Sequence, residues 1–579
     1  MLNYNDYISD LPDVPYHNFI DLMQSVVRDN SNKQAILYRS GKQKEFARWT
    51  YAQFGDICCR IARGLLAAGL VRGDRVALWA ENRPEWMAVW IGTLLAGLTI
   101  VPVDFMVSDD ECRNIVKITR AKAFFYSSRK KDFAATLSGD LLAAVCISPE
   151  DNDQPSIQNK EFAAFGAHAA SQPLPTAADI DANFPASIVF TSGTTGFAKG
   201  VTLSHKAIIA NASAAIRQLV PNLKDVFVSV IPLHHTYPTT CTFISPLIMG
   251  VPMVIVEKIV GKVIIEDIKD AGATFLIAVP LLYDKVMLAL DQGIKKLPGI
   301  IRGPISLLRK KALAEANKGN PEFGMRALKF IRKKAGLETI RIMVSGGGPL
   351  NIKTANFFDS LGFNMVNGYG MSENAPLISV NTPWHRNNAS VGLPVAYTDV
   401  KIIDPNEEGI GEIAIKSPSL MLGYFENDAA TKEIFNEDGY LLTGDLGYRD
   451  EQGFIFISGR KKDLIVSSGG KNIYPEEIEA HFNGSRVIAE ILVIGRQEQE
   501  HGGEQIVALA VPNFEALAED YPGKETDDAF IKGLIKKTIE DVNRTLPGYK
   551  KISDFIVHKE PFEKNAQQKI RRFKYKKLM

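Results

Sequence analysis

Residues 190–201 read FTSGTTGFAKGV, three threonines, a serine and three glycines around a single lysine, Lys199. The preceding SIVF has the texture of a strand, so the loop leaves a strand end, where backbone N–H groups and hydroxyls can wrap an anion. The Gly-Lys-Ser/Thr signature of the usual phosphate loop occurs nowhere in the chain, so this is phosphate chemistry of another kind. Taken alone, a polar Gly/Ser/Thr turn is the blander reading.

Other stretches could supply the rest of such a site. SGGGPL (Ser345 to Leu350) ends a second strand, and its glycines Gly346, Gly347 and Gly348 let a planar group approach the backbone. In NGYGMSEN, Tyr369 can stack on a base, Ser372 can bond a phosphate, and Glu373 can hold magnesium, a hard cation that prefers oxygen. Asp445 in TGDLG could accept two ribose hydroxyls, although Asp beside Gly in a turn is common. GRKKD (Gly459 to Asp463) reads equally as a charged linker, and Lys569 in KNAQQKIRR as part of a basic tail. Each stretch is ambiguous by itself.

The elements around them set the fold expectation. From Trp49 to about Val256, helical patterns alternate with short apolar runs (RVALWA, LTIVPV, FVSVIPL, VPMVIVE), and TFLIAVP and IRIMVSGG follow. Glycine-bounded apolar runs with helices between them predict parallel sheets covered on both faces. Near Leu393 the texture changes to hairpins, KIIDPNEEGIGEIAIKS and YRDEQGFIFIS, which predict a small β-subdomain. After Gly459, a proline-led helix start at Pro475, strands RVIAEILVIG and EQIVALAVPN, and a helix face through Phe530, Leu534, Ile535, Ile539 and Val542 predict a compact α+β domain. The expected architecture is α/β: a large domain over 1–459 and a small, mobile C-terminal domain over 460–579.

Composition narrows the function classes. The 579 residues are 46% hydrophobic and 23% charged with a net charge of +1, which gives no global reason for a nucleic-acid partner. Five scattered cysteines without a CxxC pair fit a reducing compartment and suggest neither disulfides nor zinc. The acidic N-terminus lacks the apolar core of a signal peptide, and two uncharged stretches, 87–103 and 226–256, are too broken by glycine and proline to span a membrane. A soluble cytoplasmic protein is expected.

Taken together and in this order, the stretches resemble the adenylate-forming enzymes, and within them the acyl-CoA synthetases, most of all the long-chain-fatty-acid–CoA ligases. The family's phosphate-loop pattern is met from Phe190 to Val201, with Ala198 where proline is usual, and its YGxTE pattern from Tyr369 to Glu373, with serine for threonine. TGD (Thr443 to Asp445) and GRxKD are intact, while Asn565 and Gln568 replace the threonine and glycine of the terminal TxxGK pattern. The resemblance runs over essentially the whole chain.

It implies ATP-dependent conversion of a carboxylate to an acyl-adenylate, then transfer to the thiol of CoA. Thr191, Ser192, Gly193, Thr194, Thr195, Gly196 and Lys199 would hold the β- and γ-phosphates, with Mg2+ between phosphate oxygens and Glu373 and Thr191. Gly346 to Gly348 with Asn367, Gly368, Tyr369, Gly370, Met371 and Ser372 would frame the nucleotide, and Asp445 and Arg460 its ribose. Lys569 would meet the charge developing on the α-phosphate. Lys462 would be the pivot of the small domain, with Gly470 beside the thiol tunnel and His235, in IPLHHTYPTTCTF, at the carboxylate pocket. No carrier domain follows Lys569, so the acceptor is expected to be a separate molecule, and no stable protein partner is implied. Two other readings stay open, an acyl-AMP ligase loading an acyl carrier protein and a catalytically silent acyl- or nucleotide-binding homologue.

An insertion before SGGGPL resembles the longer-chain synthetases. Between Lys295 and Lys334 stand twelve basic residues against two acids, Glu315 and Glu322. Ile301, Ile305 and Leu308 fall on one helical face, which Ile294, Leu297 and Leu313 extend. A basic amphipathic helix over 294–334 predicts peripheral contact with an anionic membrane, on the inner face if the protein is cytoplasmic. The alternative is a helix that packs its apolar side on the large domain.

Overall fold

The computed structural model describes residues 16–39, 45–137, 141–148, 160–191, 199–257, 260–467, 471–497, 504–564 and 570–576. By contacts the chain falls into two units. The first takes the described residues up to Asp399 together with Lys416–Leu441, and the second takes Val400–Ile415 and the chain from Leu442 onward.

Two large sheets form the first unit. The seven-stranded one runs, in spatial order, Gly423–Tyr424, Lys199–Ser204, Pro185–Thr191, Thr99–Pro102, Arg75–Trp79, Ala123–Tyr126 and Ala143–Cys146. The five strands from Pro185–Thr191 to Ala143–Cys146 run parallel, and the first two pair antiparallel at one edge. The nine-stranded sheet has a parallel centre, with Asn364–Gly370, Ile342–Ser345, Phe275–Ala278, Phe227–Ser229, Met253–Val256 and Gln34–Arg39 side by side, and antiparallel strands at both edges. The expected apolar runs are these strands. Each is apolar throughout because both faces are covered: in Arg75–Trp79, Val76 and Leu78 enter one core, Ala77 and Trp79 the other.

Helices join the sheets. Tyr51–Ala67 starts at a reciprocal cap in which Thr50 Oγ1 accepts the Gln53 N–H and Gln53 returns a bond to the Thr50 N–H. It packs on Pro84–Leu95, a helix buried on every side that carries Trp86 and Trp90. At Gly92 the two helices touch so closely that a Cβ would lie 2.8 Å from the Cys58 carbonyl oxygen. One core therefore links Ile36 and Met253 of the larger sheet to Leu78 and Ile100 of the smaller. No described helix is long and apolar enough to cross a membrane.

Ser204 caps a third helix, His205–Leu219, whose first residue is fully buried: His205 Nδ1 accepts the Phe19 N–H at 3.3 Å. Burial pushes the imidazole down to about 3 from its usual 6.5. The unfolded chain therefore takes up a proton below pH 6.5 that the folded one refuses, and stability falls with acid. At pH 5 the cost is about 2 kcal/mol, at about 1.36 kcal/mol per unit. His205→Gln should flatten the fall in melting temperature between pH 7 and pH 5. Parallel curves for the two proteins would exclude His205 as the cause.

In the second unit, strands Asp399–Ile403, Gly411–Lys416, Leu441–Arg449 and Ile455–Arg460 make a four-stranded sheet, the expected hairpins. The sequence reading placed them in the large domain; by contacts most of this sheet groups with the C-terminal part. The reason is local, since a Cβ at Gly459 would lie 2.8 Å from Glu476 of the helix Pro475–Glu479. Beyond it, Ile488–Gln497, Glu504–Pro512 and Asp554–Val557 form a sheet under the helix Asp528–Asn543, whose Ile531, Ile535 and Ile539 close the core.

The insertion is helical over Gly299–Asn317, Glu322–Ala327 and Lys329–Lys334. Of its expected apolar face, Ile305 is buried and Leu308 packs with it against the larger sheet's core, whereas Ile301 is exposed. Two of its cations also turn inward: Arg309 bonds Ser360 Oγ at 3.0 Å, and buried Arg332 bonds the carbonyls of Gly362 and Ile340. The packing alternative thus accounts for much of this helix. What remains outside is the stretch from Gly299 to Pro304 with Leu307, Ile300 being 85% and Leu307 72% exposed.

Candidate functional site

The expected site residues of the first unit gather where strands end. Thr191 closes the strand Pro185–Thr191, and its neighbour in the register is Lys199, which opens the next strand. Lys199 Nζ lies over the Tyr424 ring, 4.7 Å from its centre. The Tyr424 hydroxyl donates to Glu373 Oε1 at 2.8 Å. Lysine, phenol and carboxylate thus form one chain from the glycine-rich loop to the YGMSE turn. Backbone bonds brace it, from Met421 N–H to the Glu373 carbonyl and from Phe425 N–H to the Gly200 carbonyl.

Tyr424 was missed by the sequence reading. Its signal lay in MLGYFEN, which offers no charge or glycine pattern of its own and comes beside Lys199 and Glu373 only by pairing with Lys199–Ser204 as an edge strand. Burial raises the phenol's pKa, so it remains a donor throughout the working range.

The nucleotide-side loops leave adjacent strands of the larger sheet, Ile342–Ser345 and Asn364–Gly370. Tyr237 fills the space over the SGGG turn, and a Cβ at Gly346 would fall 2.8 Å from its ring. Gly347 has φ +82°, which favours glycine. Gly370 is required too, because a Cβ there would lie 2.2 Å from the Pro376 carbonyl oxygen. Ser372 Oγ is 3.3 Å from Thr236 Oγ1, so the IPLHHTYP segment touches the YGMSE turn. His235 stands next to Thr236, and burial, with His234 beside it, pushes its pKa down to about 3. Asn367, Gly368, Tyr369 and Met371 lie on or just beyond the strand Asn364–Gly370, with the Asn367 side chain buried and donating to the Ser390 carbonyl at 3.4 Å.

In the second unit, Asp445 and Arg460 face each other across an antiparallel pair, with Arg460 Nε 2.6 Å from Asp445 Oδ1. Gly444, at φ +71°, turns the chain just before this carboxylate, and its N–H donates to Glu412 Oε1 at 3.1 Å. Lys462 sits in the short turn Lys461–Asp463, beside Lys461, which donates to Glu412 at 2.7 Å. Ser192, Gly193, Thr194, Thr195, Gly196, Gly470, Asn565, Gln568 and Lys569 lie outside the described residues.

Comparison with known families decides what this arrangement belongs to. Residues 23–425 match the AMP-binding enzymes, and residues 462–578 match the C-terminal domain of the same enzymes. The chain belongs to the AMP-binding enzyme family. Among its relatives in this family, the long-chain-fatty-acid–CoA ligase ACSBG1 of Rattus norvegicus is 27% identical over 481 residues, 79% of this chain and 67% of that one. The chloroplastic long-chain-fatty-acid–[acyl-carrier-protein] ligase AEE15 of Arabidopsis thaliana is 26% identical over 556 residues, 84% of this chain and 75% of that one. The crystal structure of the anthranilate CoA ligase AuaEII in complex with anthranoyl-AMP superposes with a TM-score of 0.76 at 21% identity, covering 99% of this chain and 98% of that one. That likeness establishes the AMP-binding fold, two parallel sheets and a small C-terminal domain.

Proposed function

We propose that the chain activates the carboxylate of a medium- to long-chain fatty acid with ATP, forming acyl-AMP and pyrophosphate, and passes the acyl group to CoA. The observation that carries this is the Lys199–Tyr424–Glu373 chain at the mouth of the strand that delivers the glycine-rich loop. A cation and a carboxylate joined through one tyrosine suit a triphosphate and its counter-ion. Glu373 fits a magnesium ion because Tyr424 takes only one of its oxygens, and the other is left for a hard cation. When bound, that ion would neutralise charge on the phosphates and the departing pyrophosphate.

The remaining work falls to the chain's own groups. Carboxylate attack on the α-phosphate needs alignment and charge stabilisation more than covalent chemistry. Lys199 would hold the pyrophosphate end, Tyr369 and the Gly346 to Gly348 turn the base, and Asp445 and Arg460 the ribose. His235, neutral at working pH, would bond the acid. Lys569 would meet the α-phosphate, and Lys462 would serve as the pivot between the two half-reactions, with Gly470 beside the incoming thiol.

ATP–pyrophosphate exchange across carboxylates of graded length tests the first half-reaction. Strong exchange with fatty acids is expected, and none with any of them would defeat the proposal. A specific observation favours one second reading, since AEE15 is named for an acyl carrier protein. Thioester formation with CoA and with a carrier protein, run side by side, decides the acceptor.

We also propose reversible contact with an anionic membrane, in a cytoplasmic setting that suits five free cysteines. The contact would use the start of the helix Gly299–Asn317, where exposed Ile300, Ile301 and Leu307 stand among the exposed cations Lys295, Lys296, Arg302, Lys310 and Lys311. A poorly soluble fatty acid is best collected from a bilayer. Replacing Lys296, Arg302 and Lys310 with glutamate should weaken co-sedimentation with anionic vesicles roughly a hundredfold, at about 1 kcal/mol per cation lost. Arg309 is left intact because it bonds Ser360. If the unmodified protein ignores anionic vesicles at low salt, this surface is not a membrane site.

A further inference from the structure

Two adjacent histidines meet an aspartate at the junction of the large sheets. Asp104 follows the strand Thr99–Pro102 of one sheet, and His234 and His235 follow Phe227–Ser229 of the other. One ligand atom from each of the three lies within 4.8 Å of the others. His234 Nε2 is 3.3 Å from Asp104 Oδ1, and the two imidazole centres are 4.0 Å apart. His234 is only 6% exposed, its Nε2 turned to Asp104, and Nε2 of His235 is buried without a hydrogen-bond partner. A buried ring nitrogen left unsatisfied is costly unless something binds it.

The three side chains hang on a fixed frame. The Asp104 carbonyl accepts the Trp79 indole N–H at 2.8 Å, and its carboxylate accepts the Met106 N–H at 2.9 Å. Asn82 clamps the loop before the histidines, donating to the Ile231 carbonyl at 2.8 Å and accepting the Leu233 N–H at 2.7 Å. Thr239 Oγ1 donates to the Leu233 carbonyl and, at 2.9 Å, to that of His235. These bonds fix the backbone from which the side chains project, and the Met106 N–H holds the Asp104 carboxylate itself, as outer bonds to a metal ligand do.

We propose that Asp104, His234 and His235 bind a divalent transition-metal ion of the zinc class, at a site separate from the magnesium position at Glu373. Two imidazoles and a carboxylate are a common three-ligand set for zinc, leaving one position open. Tetrahedral bonds of about 2.0–2.2 Å put ligand atoms roughly 3.4 Å apart, so a small side-chain rotation closes the set.

A consequence rests on the proposed function. If His235 bonds the acid, a metal held there takes that nitrogen away, and zinc inhibits in competition with the fatty acid but not with ATP.

The binding test needs no turnover. Full-length protein freed of metal by a chelator is titrated with Zn2+ and with Co2+ in excess Mg2+, and visible absorption reports cobalt in a low-coordinate site. One equivalent should bind, and His234→Gln or Asp104→Asn should each weaken binding more than tenfold while the far-UV spectrum is kept. Should the histidine variant fail to fold, Asp104→Asn carries the comparison. Absence of a stoichiometric cobalt spectrum, or one that persists unchanged in the folded variants, overturns the site. Stoichiometric binding without fatty-acid competition upholds the site and instead refutes His235 as an acid-pocket residue.

Discussion

Lys569→Ala is expected to slow adenylate formation about 10²–10³-fold, the usual loss when one preorganised donor to a developing charge is removed. Thioester formation from supplied acyl-adenylate should change by no more than a few-fold, because the thiol attacks the acyl carbon, AMP leaves with its oxygen, and no bond to phosphorus is made or broken. The described residues on either side of the lysine are firmly held. Lys564 and Ile570 pair in an antiparallel bridge, and Lys564 Nζ donates to Glu490 at 2.6 Å. Arg572 donates to Glu479 at 2.6 Å and lies 3.5 Å from Glu476 and 3.8 Å from Asp463. ATP–pyrophosphate exchange reports the first half-reaction, and CoA release from synthetic acyl-adenylate the second. Equal losses in both would remove Lys569 from its role.

What the sequence made legible follows from how local each signal is. Arg75–Trp79 and Ile342–Ser345 could be read because a strand buried on both faces must be apolar at every position. The glycine-rich loop, the YGMSE turn and the TGD turn could be read because their spacing is itself the requirement. At Gly370 even one added methyl would collide with Pro376. Tyr424 could not be read, since its role comes from lying beside two motifs distant in the chain. Asp104 was hidden in the same way, 130 positions before His234, among residues that look like an ordinary strand end. The cations of the insertion misled in part. Arg309 and Arg332 count toward a basic face in sequence, yet Arg332 is buried with its guanidinium on backbone carbonyls, a use that charge counting cannot distinguish from exposure. Grouping of the four-stranded sheet with the C-terminal part was equally hidden, because it depends on the contact between Gly459 and the Pro475–Glu479 helix.

Glu373→Gln and Tyr424→Phe should separate holding a cation from positioning the group that holds it. The amide oxygen of glutamine carries no charge for a hard cation, so adenylation at a fixed, limiting Mg2+ level should fall about 10²-fold or more, several kcal/mol of lost charge stabilisation. Phenylalanine keeps the ring beneath Lys199 Nζ and deletes only the hydroxyl that donates to Glu373. A hydrogen bond to a charged group is worth about 1.5–3 kcal/mol, so a loss of about 10-fold or somewhat more is expected. Because that hydroxyl acts through the carboxylate, its loss should appear as a lower apparent Mg2+ affinity and be largely recovered at high Mg2+, whereas Glu373→Gln should recover only in part. The double variant should then be little worse than Glu373→Gln alone, since two residues in one hydrogen-bonded chain do not contribute independently. Strictly multiplicative losses, or a Tyr424→Phe defect that ignores Mg2+, would mean that Tyr424 serves Lys199 or the strand pairing and not the carboxylate. Mg2+ titrations of pyrophosphate exchange on the three proteins, with melting temperatures to confirm that the edge strand still pairs, distinguish these outcomes.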